Sequence, residues 1–265
     1  MLKPTSPSVA RIPKVNLMNL NGKIALVTGA SSGIGAATAI KLAAQGVKVG
    51  LAARRVDRLE ALVRQIKTAG GEALAIEMDV VDPASVQAGV DELVKAYGTI
   101  DILLNNAGLM PISDVETLKT DEWARMVDVN IKGVLNSTAA VLPIMQKQRS
   151  GHIFNTSSIA GRKVFAGLTV YCATKHAVTA FSEGLRLEIG KKHNIRVTCI
   201  QPGAVDTELF EHVTDKGYRD QMEGLRDQMA FLKADDIADT LLFALQAPDY
   251  VNVAELFVLP TDQPW

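Results

Sequence analysis

Short apolar runs alternate along the chain with stretches in which apolar residues recur at helical spacing. Seven runs rich in β-branched residues predict strands, and several are apolar almost throughout, which is typical of strands covered on both faces. These predicted strands are residues 24–28, 47–52, 73–78, 102–105, 153–156, 195–200 and 255–259. The predicted helices include residues 34–44, 59–66, 86–94, 122–148 and 174–190. The alternation predicts an α/β fold with a doubly wound, parallel, seven-stranded sheet.

No linker, composition shift or internal repeat divides the sequence, so the pattern predicts a single domain over residues 21–265. Residues 1–20 contain Pro4, Pro7 and Pro13 and are predicted to form an N-terminal arm without catalytic importance. Residues 207–233 show no strand pattern and are rich in polar side chains and methionine. We interpret them as an insertion before the last helix and strand.

Composition and charge exclude several classes of partner. Of the 265 residues, 48% are hydrophobic and 22% are charged, an ordinary balance for a globular domain. The net charge of -1 gives no basic footprint for nucleic acid. No apolar run is long enough for a membrane span or a secretory signal. Cys172 and Cys199 lie in apolar stretches and are predicted to be buried, which fits a reducing compartment and predicts a cytoplasmic protein.

The four histidines do not predict a metal site. His152, His176, His193 and His212 lack the spacing of metal ligands and do not cluster with a pair of cysteines. We therefore predict structural or surface roles for them and no bound metal.

A glycine-rich turn joins the first predicted strand to the first predicted helix, with the sequence TGASSGIG at residues 28–35. Gly29 permits a tight turn, Gly33 lets the backbone approach a pyrophosphate, and Gly35 allows the helix to pack closely on the sheet. The helix N-terminus then offers N–H groups and a partial positive charge to phosphates. Glycines can also serve a turn that binds nothing, but the strand before and the helix after favour a dinucleotide site.

The second predicted strand ends in two arginines rather than in an acidic residue. In NAD-binding proteins a carboxylate near this point holds the 2′-hydroxyl of the adenosine ribose. Here Ala53 occupies that position and is followed by Arg54 and Arg55. A guanidinium suits a 2′-phosphate, to which it donates charge-assisted, bidentate hydrogen bonds. The arginines could instead be solvated residues at a helix start, but the missing carboxylate favours NADP(H) as the cofactor.

Tyr171 and Lys175 lie one turn apart on a helical pattern, so their side chains share a face. Such a pair can be a lysine extended along a half-buried tyrosine, with no catalytic role. Ser157 and Ser158 follow the predicted strand 153–156, and ligands bind at the carboxyl ends of strands in folds of this type. Their position favours an active site at this edge of the sheet.

Together these motifs resemble those of the short-chain dehydrogenase/reductase family in its single-domain, NADP-dependent form. The resemblance extends from about residue 20 to residue 259 and includes TGxxxGxG at 28–35 and YxxxK at 171–175. It also includes DV at 79–80, NNAG at 105–108, VNIKG at 129–133 and PGAVDT at 202–207. Within the family the chain is similar to bacterial carbonyl reductases, clavaldehyde reductase, and serine or 3-hydroxy acid dehydrogenases. The resemblance implies a Rossmann-type fold, a dinucleotide-binding catalytic domain and, by family habit, a homotetramer.

The resemblance also implies where the cofactor and the substrate bind. Residues 79–80 would contact adenine, 106–108 would flank its ribose, and 202–207 would cradle the nicotinamide. The family's spacing favours Ser158 over Ser157 as the catalytic hydroxyl, and Asn130 would hold a water that links Lys175 to solvent. The predicted catalytic residues are Asn130, Ser158, Tyr171 and Lys175. The predicted cofactor-binding residues are Gly29, Ser31, Ser32, Gly33, Ile34, Gly35, Arg54, Arg55, Asp79, Val80, Asn106, Ala107, Gly108, Tyr171, Lys175, Pro202, Gly203, Val205 and Thr207.

These residues predict a proton-transfer scheme. A carbonyl that becomes an alkoxide needs hydrogen-bond donors and then a proton, which Tyr171 would give. The ordinary pKa of tyrosine, about 10, is too high for the reverse reaction at neutral pH, so Lys175 is predicted to lower it. Lys175 would also hold the nicotinamide ribose, and Ser158 would donate to the substrate oxygen.

The predicted function is an oxidoreductase that transfers a hydride between NADPH and a small-molecule carbonyl or alcohol substrate. A nucleotide sensor or scaffold with this fold is an alternative, against which the retained Asn130, Ser158, Tyr171 and Lys175 argue. A sugar-nucleotide epimerase would have a differently spaced glycine motif and a larger C-terminal region. Small 3-hydroxy acids or serine are the alternative substrates of a dehydrogenase.

The substrate is predicted from three segments that are expected to meet over the nicotinamide: the stretch after Gly108, the loop after Ser158 and the insertion after Thr207. Residues 207–233 of that insertion are predicted to act as a mobile lid. The side chains of the three segments are largely apolar, so we expect reduction of medium-sized apolar or aromatic ketones and aldehydes. Arg162 could touch a substrate carboxylate, although a solvated loop charge is the alternative. The predicted wall residues are Leu109, Met110, Pro111, Ile112, Val164, Phe165, Leu168, Leu209, Phe210 and Met222.

Overall fold

A computed structural model describes residues 17–263, apart from the side chain of His212. Residues 1–16, most of the predicted arm, lie outside the described part. The end of that arm contacts the domain, because the Met18 N–H donates to the Gln246 carbonyl at 2.9 Å and Leu20 is buried in the core.

The elements alternate as the sequence predicts. The strands are β1 (Ile24–Thr28), β2 (Lys48–Ala53), β3 (Glu72–Glu77), β4 (Ile102–Asn105), β5 (Gly151–Thr156), β6 (Ile195–Pro202), β7 (Val205–Asp206), β8 (Leu232–Lys233) and β9 (Glu255–Val258). The helices are α1 (Gly33–Ala44), α2 (Val56–Thr68), α3 (Pro83–Tyr97), α4 (Thr120–Val127), α5 (Gly133–Gln148), α6 (Thr169–His193), α7 (Lys216–Gln228) and α8 (Ala234–Gln246).

Seven of these strands form one parallel sheet in the order β3-β2-β1-β4-β5-β6-β9, which confirms the predicted doubly wound fold. Strands β1, β4 and β6 are buried along their whole length because helices cover both faces. Helices α1, α2 and α8 contribute to the core on one face, and α3, α5 and α6 contribute to the core on the other. The order reverses between β1 and β4, and a ligand cleft is expected where the carboxyl ends of these strands diverge.

The structure corrects two predicted elements. The predicted helix 122–148 is two α-helices, α4 and α5, joined by a single π-helical turn at Asp128–Lys132. Residues 207–233, predicted to contain no strand, include β8, which pairs in parallel with β7. This pairing brings the two ends of the segment together, and it involves only two residues on each strand, too few to leave an alternating pattern in the sequence.

His152 lies in β5 and is buried with one unpaired ring nitrogen among the described residues. Its Nε2 atom lies 2.7 Å from Thr198 Oγ1, and its ring stacks on Phe154 at 3.9 Å between centroids. Burial, with a smaller contribution from nearby Arg196, holds the pKa of His152 well below its ordinary value. The histidine therefore stays neutral in the folded protein.

This burial predicts a loss of stability in acid. The unfolded chain binds a proton at His152 below about pH 6.5 and the folded chain does not, so the free energy of unfolding should fall by up to about 1.4 kcal/mol per pH unit below that value. Urea denaturation at several pH values, for the wild type and His152→Leu, measures this contribution. The variant should show a shallower decline, and equal slopes would contradict the assignment.

Candidate functional site

The turn between β1 and α1 needs glycine for its backbone. Gly29 and Gly33 have φ values of +65° and +53°, in the left-handed region that glycine adopts without strain. A Cβ atom on Gly35 would lie 2.4 Å from the Gly29 carbonyl oxygen, so α1 starts directly against the turn. Within the described chain, Ser32 makes no capping hydrogen bond to α1, whose first turn has no acidic residue. The helix N-terminus is therefore open to an anionic group.

A cleft of about 480 Å³ follows the carboxyl edge of the sheet from this turn to α6. Its volume is within the range of roughly 300–1,000 Å³ that is usual for ligand sites. The predicted cofactor-binding residues line it, with the exception of Gly35, which packs under the turn. The open helix end, the positive-φ turn and the arginines together fit a phosphorylated dinucleotide.

Arg55 lies over the glycine-rich turn. Its guanidinium donates from Nε and Nη2 to the Ser31 hydroxyl at 3.1 and 2.9 Å, and from Nη2 to the Ser32 hydroxyl at 2.8 Å. Arg54, next to it, is exposed and also lines the cleft. The structure thus brings three predicted cofactor residues together, with Arg55 in direct contact with Ser31 and Ser32.

Tyr171 and Lys175 lie at the inner end of the cleft, near the start of α6, and both are buried. Lys175 Nζ lies 5.6 Å from the centre of the Tyr171 ring and donates to the Thr156 carbonyl oxygen at 2.8 Å. Ser158, just beyond β5, hydrogen-bonds the Tyr171 hydroxyl. Ser157 instead bonds to Thr179 and to the Lys175 carbonyl oxygen, both on α6. The structure thus pairs Ser158, rather than Ser157, with the tyrosine.

Burial controls the charge of this pair. It raises the pKa of Tyr171 to about 12, although the hydrogen bond with Ser158 partly opposes the rise. Burial also lowers the pKa of Lys175 to about 8. The predicted lowering of the pKa of Tyr171 is not seen in this geometry, because the loss of hydration dominates and the hydrogen bond with Ser158 opposes it only in part. Tyr171 therefore keeps its phenolic proton at neutral pH.

Asn130 lies on the π-helical turn, behind the cleft, and is fully engaged with its surroundings. Its Oδ1 accepts from the Leu109 N–H at 2.9 Å, and its Nδ2 donates to the Leu109 carbonyl at 3.0 Å and to Thr174 Oγ1 at 3.1 Å. These bonds fix the chain after β4 against the start of α6. π-Helical turns often occur at functional sites, and this one places the amide against Thr174, the residue before Lys175.

The predicted apolar wall is largely present. Leu109, Met110, Phe165, Leu168, Leu209, Phe210 and Met222 line the cleft. Pro111 and Ile112 are instead buried in the protein interior, and Val164 is 69% exposed. Sequence reasoning missed Leu225, Met229 and Phe231, which also line the cleft. The spacing of Met222 and Leu225, one turn apart on α7, could have indicated Leu225, whereas Met229 lies just beyond the end of that helix.

Two charged residues near the cleft correct the sequence reasoning. Arg162 hydrogen-bonds to Gln201 and forms an ion pair with Glu255, so it is not available as a clamp for a substrate carboxylate. Arg125, on α4, lines the cleft and has no hydrogen bond or ion pair within residues 17–263. The sequence did not predict that Arg125 lines the cleft, because it shows only a charged residue on the exposed face of a predicted helix.

The remaining predictions concern metal, thiols and membranes. Cys172 and Cys199 are buried, as predicted. His176 Nδ1 lies 2.8 Å from the Cys172 carbonyl oxygen, and His193 Nε2 lies 3.5 Å from Gln146 Nε2. In the described part of the chain no group of three or more possible ligands could hold a metal ion. No helix in that part is long and apolar enough to cross a membrane.

Comparison with known proteins gives one consistent result. Residues 23–217 match the family model for short chain dehydrogenases. An uncharacterized oxidoreductase of Listeria innocua is 47% identical over 94% of this chain and all of its own length.

Solved structures agree with this match. The closed form of a serine dehydrogenase complexed with NADP+ superposes with a TM-score of 0.85 at 34% identity, over 91% of this chain and 96% of the other. A short-chain dehydrogenase/reductase from Burkholderia phymatum in complex with NAD superposes with a TM-score of 0.83 at 28% identity, over 91% and 90%. With its parallel sheet, glycine-rich turn and paired tyrosine and lysine, the chain is an oxidoreductase that belongs to the short-chain dehydrogenase/reductase family.

Proposed function

We propose that this oxidoreductase uses NADPH to reduce medium-sized apolar or aromatic ketones and aldehydes. One observation carries the proposal: a cleft has hydroxyl donors at its inner end, an apolar wall beside them, and Arg55 over the glycine-rich turn at its other end. Residues 21–265 are the proposed dinucleotide-binding catalytic domain, with residues 207–233 as its substrate lid.

The proposed mechanism assigns each side chain a task. Bound NADPH supplies the hydride that adds to the carbonyl carbon. Ser158 and Tyr171 donate hydrogen bonds to the carbonyl oxygen, and Tyr171 then gives its proton to the alkoxide. Lys175 would bind the nicotinamide ribose and return a proton to Tyr171, while Asn130 fixes the backbone after β4 and would hold a water that leads to solvent. The apolar wall excludes bulk water around the reacting atoms.

The cofactor preference follows from the arginines. A 2′-phosphate placed between Arg55 and the serines of the turn would receive charge-assisted hydrogen bonds, and the neighbouring Arg54 also lines the cleft. NADPH should therefore bind more tightly than NADH. The solved relative that binds NADP+ is consistent with this choice.

A substrate panel tests the proposal. Initial rates are measured for aryl ketones and aldehydes with NADPH, and for serine and 3-hydroxybutyrate with NADP+. We expect kcat/KM to be higher for the apolar carbonyl compounds, because the wall rewards buried hydrocarbon at about 25 cal/mol per Å². Ser158→Ala provides the control for turnover at this site.

Small hydroxy acids are a second candidate class of substrate. Arg125 offers a guanidinium at the cleft that has no partner among the described residues, and the chain is similar to a serine dehydrogenase. A preference for serine or 3-hydroxybutyrate that is lost in Arg125→Ala would favour this class over the apolar one.

The two reaction directions should differ in their dependence on pH. Because the pKa of Tyr171 is raised to about 12, the phenol keeps its proton throughout the neutral range. At saturating NADPH, carbonyl reduction should not decline with deprotonation of Tyr171 between about pH 6 and 9, whereas alcohol oxidation should rise with pH. Profiles of kcat in both directions test this, and an oxidation rate independent of pH would contradict it.

A further inference from the structure

Glu208 opens the short helical turn Glu208–His212 in the 207–233 segment and lies between two arginines of another element. Its Oε2 atom is 3.0 Å from Arg55 Nη1, and its Oε1 atom is 2.6 Å from Arg58 Nη1. Glu208 and Arg55 line the cleft, while Arg58, one turn further along α2, lies outside its lining. The carboxylate therefore holds the segment against the start of α2.

The same guanidinium of Arg55 serves both the cleft and Glu208. Its Nε and Nη2 atoms face the Ser31 and Ser32 hydroxyls, and its Nη1 atom faces the carboxylate. An anion bound between Arg55 and Ser31 would lie next to Glu208. A ribose 2′-phosphate carries a charge of about -1.5 to -2 at neutral pH by analogy with other phosphate monoesters, so it would repel that carboxylate.

Glu208 is charged at neutral pH. Burial acts to raise its pKa, but hydrogen bonds from Arg58 and Arg55 outweigh this effect and hold the pKa below its ordinary value. Its side chain is 35% exposed, so the interaction is screened only in part.

We propose that Glu208 is a specificity-determining residue for the cofactor, because its carboxylate competes with the 2′-phosphate of NADPH for Arg55. NADH, which has a hydroxyl at this position, meets no such competition. When the phosphate takes Arg55, Glu208 retains Arg58 as its partner outside the cleft. Glu208 thus makes the ratio of NADPH affinity to NADH affinity smaller than it would be without the carboxylate. This inference rests on the proposed NADPH-dependent function.

The variant Glu208→Gln tests this directly, because it removes the charge and nearly preserves the shape. Calorimetry measures the Kd of NADPH, NADH, 2′,5′-ADP and 5′-AMP for the wild type and the variant. We expect affinity for the two 2′-phosphorylated ligands to rise about three- to five-fold, the scale of a partly exposed ion pair, with the other two ligands unchanged. The effect should shrink at high salt.

Glu211→Gln is the matched control, since Glu211 is an exposed carboxylate in the same short helical turn. It should leave the ratio of NADPH to NADH affinity unchanged. A Glu208→Gln variant with an unchanged ratio, or with weaker NADPH binding, would overturn the inference.

The variant Arg55→Ala separates this inference from the proposed function. If Arg55→Ala weakens the binding of NADPH but not of NADH, while Glu208→Gln has no effect, the cofactor assignment stands and the proposed role of Glu208 is wrong. If Arg55→Ala weakens the binding of NADPH and NADH equally, the 2′-phosphate does not bind at Arg55. The cofactor assignment and the proposed role of Glu208 are then both wrong.

Discussion

Replacing Tyr171 with phenylalanine should lower kcat for carbonyl reduction by at least about 10²-fold, the usual scale of general acid catalysis. The ring, which is buried at the inner end of the cleft, keeps its packing in this variant. Only the transferable proton and the partner of Ser158 are lost. Affinity for NADPH should hardly change, because Lys175 and the glycine-rich turn remain. Steady-state kinetics and a direct NADPH titration measure the two quantities separately.

Tyr97→Phe is the matched control for this experiment. Tyr97 ends α3 and lies near Lys48, away from the residues that line the cleft. Its variant should retain wild-type turnover. Near-normal kcat in Tyr171→Phe would refute the proposed proton donor, whereas a matching loss in both variants would indicate a general effect of removing a tyrosine hydroxyl.

Removing both arginines that follow β2 should weaken NADPH binding about 10²-fold and leave NADH nearly unchanged. Each charge-assisted contact with a phosphate contributes roughly 1.5 kcal/mol at the low end, and 1.4 kcal/mol is ten-fold in affinity. The Kd values of NADPH and NADH, measured for the double variant Arg54→Ala/Arg55→Ala and for the two single variants, show how much of the loss each arginine causes. Arg55→Ala should carry the larger share, because Arg55 touches Ser31 and Ser32.

Arg64→Ala is the control for this loss of charge. Arg64 lies on the same helix, α2, is exposed, and pairs weakly with Glu60 at 4.0 Å. The ratio of NADPH to NADH affinity should stay at its wild-type value in this variant. Equal losses for both cofactors in the double variant would show that the arginines support the fold of the turn rather than the 2′-phosphate.

The sequence predicts the sheet well because each buried strand leaves a local signal. Strands β1 and β4 are predicted at their observed limits, because a short apolar run bounded by turn residues is typical of a buried strand. Gly29, Gly33 and Gly35 are similarly readable, since their conformation or close contact excludes a side chain. Tyr171 and Lys175 need only the periodicity of one helix to be placed together.

Features that depend on distant segments escape such reasoning. Glu208 meets Arg55 and Arg58 only because the chain returns to the edge of the sheet after β6. The pKa values of Tyr171 and Lys175 depend on how much water their neighbours exclude, which residue spacing does not report. The π-helical turn at Asn130 differs from an α-helix by a single hydrogen-bond register, so it leaves the periodicity almost intact.

The pairing of β7 with β8 fixes both ends of the 207–233 segment at one point. An ion pair between Arg226 and Asp206 at 2.7 Å reinforces this closure. The entropic cost of closing the loop between the two strands then depends only weakly on its length, since doubling the length of a flexible loop adds only about 0.6 kcal/mol. Loops of other lengths should therefore be tolerated between β7 and β8, and if the proposed lid role holds, exchanging this loop should change the substrate range while the sheet and the helix that carries Tyr171 stay as they are.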